Sequence, residues 1–197
     1  IFYENGICWM GAFSESLGIY NKNTQQFSTM SLAGTLPIDE KWTSKEIDEQ
    51  LPVTDFINSV LKKFSNKVTI SETYDHISGN IKHLRTDFQI HTKPENIGTI
   101  LQLLHPTPAV CGIPKDFCKE KIAELEGFDR EFYAGYTKLE THDFIYSFVN
   151  LRCGKFYENT AELFVGGGIT KDSIPEKEWK ETELKSLAIL NNLLIEN

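Results

Sequence analysis

The chain has 197 residues, 40% of them apolar, and a formal net charge of −8 at pH 7. That length and apolar content suit one globular domain over residues 1–197, and an acidic balance without any Lys/Arg run excludes an extended nucleic-acid footprint. No apolar run approaches the ~18 residues of a membrane span and no signal peptide is visible, so a soluble protein away from membranes is expected.

Residues 7–12, 17–21 and 27–32 read as short strands rich in aromatic and apolar side chains, with Asn21-Lys22-Asn23 as a turn. Leu32-Ala33-Gly34-Thr35 then breaks the pattern. Thr43 followed by Glu46 forms a capping box for a helix running to residue 64, with Ile47, Leu51, Ile57, Val60 and Leu61 as its apolar positions. Pro52 is expected to kink that helix or to mark a fresh start. Strands at 67–74 and 80–92 come next, then a short helix at 94–104 and a rigid Pro/Gly loop, HPTPAVCGIPK. A helix over 116–125 turns Lys119, Glu120 and Lys121 outward, and strands at 131–138, 144–156 and 161–165 close the sheet. The cysteines (Cys8, Cys111, Cys118, Cys153) show no C-x-x-C spacing and no clustered histidines, which argues against zinc and a disulfide framework and fits a reducing cytoplasm. The elements interleave without repeats or linkers, so an α+β fold is expected, with antiparallel sheets in a sandwich-like core flanked by helices.

The stretch Gly166 to Lys185, GGGITKDSIPEKEWKETELK, carries the most chemistry. Three glycines end an apolar strand and let the backbone approach a ligand closely. Ser173, Pro175 and Glu176 read as a helix start with Ser173 as its cap. On that helix Glu178, Glu181 and Lys185 share one face, and Leu184, Leu187, Ala188 and Leu194 form an apolar one. Two stacked carboxylates ~5.5 Å apart repel by about 3 kcal/mol at an effective dielectric near 20. Spacing alone favours a solvated face with a Glu181–Lys185 pair. A hard-cation site is the sharper reading, since Mg²⁺ would relieve the repulsion, and the glycine turn beside it, with amides free to bind an anion, shifts the balance that way.

Taken together, SLAGT (31–35), KHLRT (82–86), LLHPTPAVCGIPK (103–115), FDREFYAG (128–135), LRCGK (151–155) and LFVGGGITKDSIPEKEWKETELK (163–185) resemble the chorismate-utilising enzymes, in the right order over nearly the whole chain. Within that family the HPTPA block resembles the isochorismate synthases. Anthranilate and aminodeoxychorismate synthases have an FP-G-type block and a different helix signature where KEIDEQLPVTDFI stands here, and salicylate synthases lack the HPTP element.

The resemblance implies a cleft in which Mg²⁺ anchors the ring carboxylate of chorismate. It implies Glu49, Glu178 and Glu181 as metal ligands, and Arg152 and Tyr133 as holders of the pyruvyl carboxylate, a task suited to a bidentate guanidinium. Gly34, Thr35, Gly166 and Gly167 fall near the substrate carboxylates, Lys185 near the metal, and His83 near the ring. His105 orients the proline loop and stands within reach of substrate. Glu15 matches the general acid that protonates the departing C4 hydroxyl while water adds at C2.

Each residue also has a plainer reading. Arg152, taken to lie on a strand, suits an edge salt bridge, His83 a hydrogen-bonded core position, Tyr133 a core filler, and Glu49 a solvated acidic face beside Glu46 and Asp48. The family's Ser-Pro before the acid is Phe13-Ser14 here, and its KDRHEH block reads KEIDEQ. The chain opens at Ile1 without Met, inside a strand-like stretch, and is expected to lack its N-terminal portion. The lysine that activates water in isochorismate synthases would lie upstream of Ile1, so this chain alone is expected to be inactive. The alternatives are an anthranilate, aminodeoxychorismate or salicylate synthase-like enzyme, or a non-catalytic chorismate-binding remnant. A monomer is expected, and a product destined for menaquinone is preferred over one for a catecholate siderophore.

Overall fold

Among the described residues every strand pairing is antiparallel, and the pairings build two sheets rather than one. The computed structural model describes residues 1–12 and 15–193. The smaller sheet holds β1 (Phe2–Glu4), β2 (Ile7–Gly11), β10 (Cys153–Phe156) and β11 (Ala161–Phe164) in that spatial order. The larger runs β5 (Thr69–Ile70), β7 (Ile81–His91), β4 (Gln26–Pro37), β3 (Glu15–Asn21), β9 (Phe144–Val149), β8 (Tyr136–Glu140), with β6 (Tyr74–Ser78) also paired to β7. Against the larger sheet pack α1 (Ser44–Leu61) and α2 (Ile97–Leu104), followed in sequence by the short α3 (Pro108–Cys111), then α4 (Lys115–Leu125) and, late in the chain, α5 (Pro175–Leu190). The α+β architecture with antiparallel sheets is as expected.

The core lies between the larger sheet and α1–α2. Leu17 and Tyr20 of β3, Phe27 of β4, Phe88 and Ile90 of β7 and Val149 of β9 meet Ile57 and Leu61 of α1 and Ile97, Ile100, Leu101 and Leu104 of α2, all nearly solvent-free. Period-two alternation along β7 and β9 supplies one wall and a 3.6-residue stripe the other. α1 starts where expected: Thr43 N–H donates to Glu46 Oε2 at 3.0 Å, and the Thr43 side chain completes the capping box.

Several elements differ from expectation. Ile47 and Leu51 are 52% and 56% exposed, because the buried stripe of α1 runs Glu46, Gln50, Val53, Ile57, Val60, Leu61. The polar half of that stripe is partly satisfied: Glu46 is met by Thr43 of the cap, and Gln50 Nε2 donates to Ser31 Oγ of the sheet at 2.8 Å. The helix is continuous through Pro52. β4 runs through the Leu32–Thr35 break as a bulge, its register shifting between Ala33 and Thr35 where Gly34 adopts φ +69°. The strand expected over 67–74 is reduced to the two residues of β5, with β6 starting only at Tyr74, and that over 131–138 begins only at Tyr136. The single strand expected over 144–156 is also two, β9 and β10, in different sheets. Asn150 pairs with Gly135 and Ala134, and Arg152 at φ +50° redirects the chain. Arg152 is therefore at a crossover and not on a strand. Ser173 does not cap α5: Ile174 is the N-cap, and Ser173 Oγ accepts instead from Thr170 N–H at 3.0 Å. The expected apolar face of α5 is only partly covered, with Leu184 and Leu187 46% and 43% exposed. The Ala188 side chain and Leu194 lie outside the described residues.

Candidate active site

The two sheets exchange strands at two points, β2 to β3 and β9 to β10, and a cleft of about 290 Å³ opens beside that seam. Each of the thirteen expected site residues lines it except His105, Glu178 and Glu181.

Its floor comes from the larger sheet. Glu15 begins β3 and is 8% exposed. Burial pushes its carboxyl up from 4.5 to about 7, while the charges of Arg152 and Lys185 hold the rise back. Phe13 and Ser14, which precede it, lie outside the described residues. Arg152 is drawn down by burial and supported by the Glu15 charge. His83, on β7, approaches Gly34 O at 3.2 Å and Thr35 Oγ1 at 3.1 Å through Nδ1. Burial lowers its pKa to about 4, so the ring is neutral near pH 7. A proton on Nδ1 satisfies Gly34 O and leaves Nε2, buried and without a partner among the described residues, as an acceptor.

The opposite wall is the glycine run and α5. A Cβ on Gly166 would stand 2.6 Å from Tyr133 Oη, one on Gly167 3.3 Å from Glu181 Oε1 and 3.8 Å from Glu178 Oε2, and one on Gly168 2.7 Å from Glu49 Oε1. Side chains there would fill the space where three carboxylates converge. Glu49 comes from α1, and burial raises its carboxyl, with a Gly34 N–H opposing and the nearby Glu181 charge adding to the rise. Glu178, buried at 7% exposure, has its Oε1 2.8 Å from Lys45 Nζ. Burial alone would raise Glu178, but hydrogen bonds from Lys45 and Ser173 outweigh it and hold the carboxyl below the usual range. Glu181 Oε1 pairs with Lys185 Nζ at 2.6 Å, and the same ammonium donates to Gly166 O at 3.0 Å. As the side chains stand, no three His, Cys, Asp or Glu among the described residues are close enough to enclose an ion. Two of the three carboxylates are held by lysines instead.

His105 stands apart from the cleft. Its Nε2 lies 2.8 Å from Ala134 O and its ring packs on Tyr136 at 5.0 Å, which ties the proline loop to the turn carrying Tyr133. The structure adds residues that spacing did not reveal. Lys45 meets Glu178 across 133 positions of sequence, which no local pattern encodes. Glu126 and Arg130 line the cleft as a two-pronged pair, both contacts 2.6 Å, with the guanidinium 5.5 Å over the Tyr133 ring. Their i,i+4 spacing is a helical signal, yet α4 ends at Leu125, so the pair braces a turn.

A family model described as chorismate binding enzyme matches residues 1–194. The chain belongs to the chorismate-binding enzymes. Among the relatives of this family member, isochorismate synthase EntC of Escherichia coli K12 is 33% identical over 197 residues, covering 92% of this chain and 50% of EntC. Isochorismate synthase DhbC of Bacillus subtilis is 30% identical over 170 residues, 79% of this chain and 40% of DhbC. The chain spans about half the length of the curated relatives it matches. In fold it is similar to MenF, the menaquinone-specific isochorismate synthase of Escherichia coli, with a TM-score of 0.83 at 25% identity over 95% of this chain and 46% of MenF. Anthranilate synthase component I of Streptococcus pneumoniae shares the fold, with a TM-score of 0.78 at 22% identity over 93% of this chain and 44% of that one. No helix among the described residues is long and apolar enough to cross a membrane.

Proposed function

We propose that the protein carrying this chain is a Mg²⁺-dependent isochorismate synthase, converting chorismate to isochorismate by addition of water at C2 and loss of the C4 hydroxyl. The observation that carries this reading is Glu15, a buried carboxyl with a pKa of about 7 in the same cleft as Arg152 and Lys185. Such a group keeps a proton to give near neutral pH, beside cations that suit a dianionic substrate.

In this scheme Arg152 binds the pyruvyl carboxylate through its planar fork, with the Tyr133 hydroxyl beside it. The backbone at Gly34–Thr35 and Gly166–Gly167 borders the carboxylates, and Lys185 adds charge near the ring carboxylate. Neutral His83 orients the ring through its Nε2, which has no partner among the described residues. Glu15 passes its proton to the C4 oxygen, which leaves as water while the new C2–O bond forms. The proton of the adding water goes to a general base, for which the resemblance implies a lysine outside residues 1–197. Glu49, Glu178 and Glu181 are the residues that would hold Mg²⁺. Their fit rests on the donor set, three carboxylates suited to a hard cation, and on the side-chain-free space at Gly167 and Gly168 into which they point. The ion, when bound, supplies positive charge to the ring carboxylate and relieves the repulsion among its ligands.

The test is incubation of the full-length protein with chorismate, with and without Mg²⁺ and ammonia, followed by chromatographic identification of product. Isochorismate formed only with Mg²⁺ is expected. Anthranilate, aminodeoxychorismate or salicylate would reject the assignment, and no turnover at all would favour a chorismate-binding remnant.

A further inference from the structure

The Lys45–Glu178 contact plays no part in the scheme above, yet it joins the first turn of α1 to the first turn of α5. The two partners differ in freedom. The Glu178 side chain is 8% exposed and the Lys45 side chain 29%. A carboxylate that buried is costly without a cation, whereas a lysine on a flexible stem can swing into water. Lys185 is less free to leave, because it also donates to Gly166 O from a position one turn beyond Glu181. Lys45 has Glu178 as its side-chain hydrogen-bond acceptor and lies in the field of Glu49 and Glu181 as well. Glu49, Glu178 and Glu181 form a ridge beside the glycine run on the cleft wall. Its three carboxylates against two ammonium groups leave one net negative charge, so the ridge is nearly neutral before any metal arrives.

We propose that Lys45 is a built-in counter-ion that holds Glu178 until a divalent cation displaces it, so that metal binding at this ridge is an ion exchange on Glu178. The inference rests on the metal reading given under the proposed function. It makes Lys45 a positioning residue: without metal it keeps Glu178 charged and α5 seated against α1, and with metal it is released to solvent. Exchange lowers apparent metal affinity by the strength of the ion pair that must break. A partly buried pair of this kind corresponds to about five- to tenfold.

The test uses the full-length protein and two readouts independent of activity. In the first, lysine acylation with acetic anhydride is followed by mass spectrometry along a Mg²⁺ titration whose binding is measured by calorimetry. Labelling of Lys45 is expected to rise several-fold and to saturate with binding, while Lys22, paired with Glu140 far from the ridge, stays constant. Lys45 labelling that is unchanged or falls while Mg²⁺ binds overturns the inference and leaves the metal reading intact. Absence of Mg²⁺ binding overturns both. In the second, Lys45→Met is expected to bind Mg²⁺ about five- to tenfold more tightly than wild type, and Lys45→Arg to stay at or below the wild-type affinity. Equal or weaker binding by Lys45→Met overturns the exchange. The labelling experiment needs no variant, so a Lys45→Met protein that does not fold leaves the question decidable.

Discussion

The floor and the ridge of the cleft hold their carboxyl groups by opposite means. On the floor, Glu15 gains its unusual proton affinity from loss of water, and the nearby Arg152 and Lys185 charges only moderate it. On the ridge, Glu178 is also buried, yet a lysine hydrogen bond reverses the effect and keeps it ionised. Surface exposure is close, 8% and 7%, yet Glu15 is enclosed far more deeply than Glu178. The outcome is a group poised to give up a proton in one case and a fixed negative charge in the other. Burial alone therefore does not decide a carboxyl's role. Depth of enclosure and a partner at hydrogen-bond distance decide it together, and that divides the cleft into a side for proton transfer and a side for holding charge.

The sharpest way to break this contrast is Glu15→Gln, which keeps the shape and removes the proton. It is expected to lower kcat by two to four decades, roughly the usual contribution of a general acid, while KM and Mg²⁺ affinity change little. In the wild type, kcat should fall as pH rises through about 7, because Glu15 must be protonated to act. Steady-state rates across pH check both. A variant that retains wild-type kcat removes Glu15 from the proton side.

Stability offers a second test of the same group. The folded carboxyl binds its proton more tightly than the unfolded one, with about 7 against 4.5. Its contribution is therefore fully present below pH 4.5 and lost as pH rises through about 7. The loss amounts to about 3 kcal/mol. Urea unfolding of wild type and Glu15→Gln at several pH values should show the wild type losing that much relative to the variant. Parallel curves would mean that Glu15 is not desolvated.

Arg152→Ala removes the cation that faces Glu15. Loss of a charge-assisted carboxylate contact is worth about 1.5–3 kcal/mol, or roughly ten- to a hundredfold in kcat/KM. The Glu15 titration should also move higher, because the Arg152 charge opposes the effect of burial. A drop in kcat/KM without that movement would show Arg152 acting on the substrate alone.

How much of this was legible in the sequence depended on how local the cause was. The Thr43–Glu46 box fixed the start of α1, since capping is settled within one turn. The glycine run and the carboxylates of α5 stood out for the same reason. The buried stripe of α1 was misread because Glu46 and Gln50 occupy it, the Glu46 carboxyl met by Thr43 and the Gln50 Nε2 by Ser31, while Ile47 and Leu51 face outward. The single strand over 144–156 was misread because apolar residues recur on both sides of a change of sheet, and the turn is marked by backbone features, the Asn150 pairing with Ala134 and Gly135 and the positive φ of Arg152. Lys45 was missed because its partner lies on another helix, brought near by the whole fold.

Gly34 is where the two sides of the cleft touch, which makes its substitution the finest probe of their independence. Its carbonyl faces His83 Nδ1 on the floor at 3.2 Å, and its N–H serves Glu49 on the ridge. At φ +69° an alanine costs about 1–2 kcal/mol in backbone strain. Its Cβ would also stand 3.1 Å from both the carbonyl oxygen and the Cβ of Glu46, which cannot retreat without loosening the first turn of α1. Urea unfolding should register the stability loss. If floor and ridge are separate devices, calorimetry should show weaker Mg²⁺ binding through the displaced Glu49, while the Glu15 titration, set by burial on β3, stays near 7. Movement of both together would mean that the bulge of β4 couples proton transfer to cation binding, and the division drawn between them would fall.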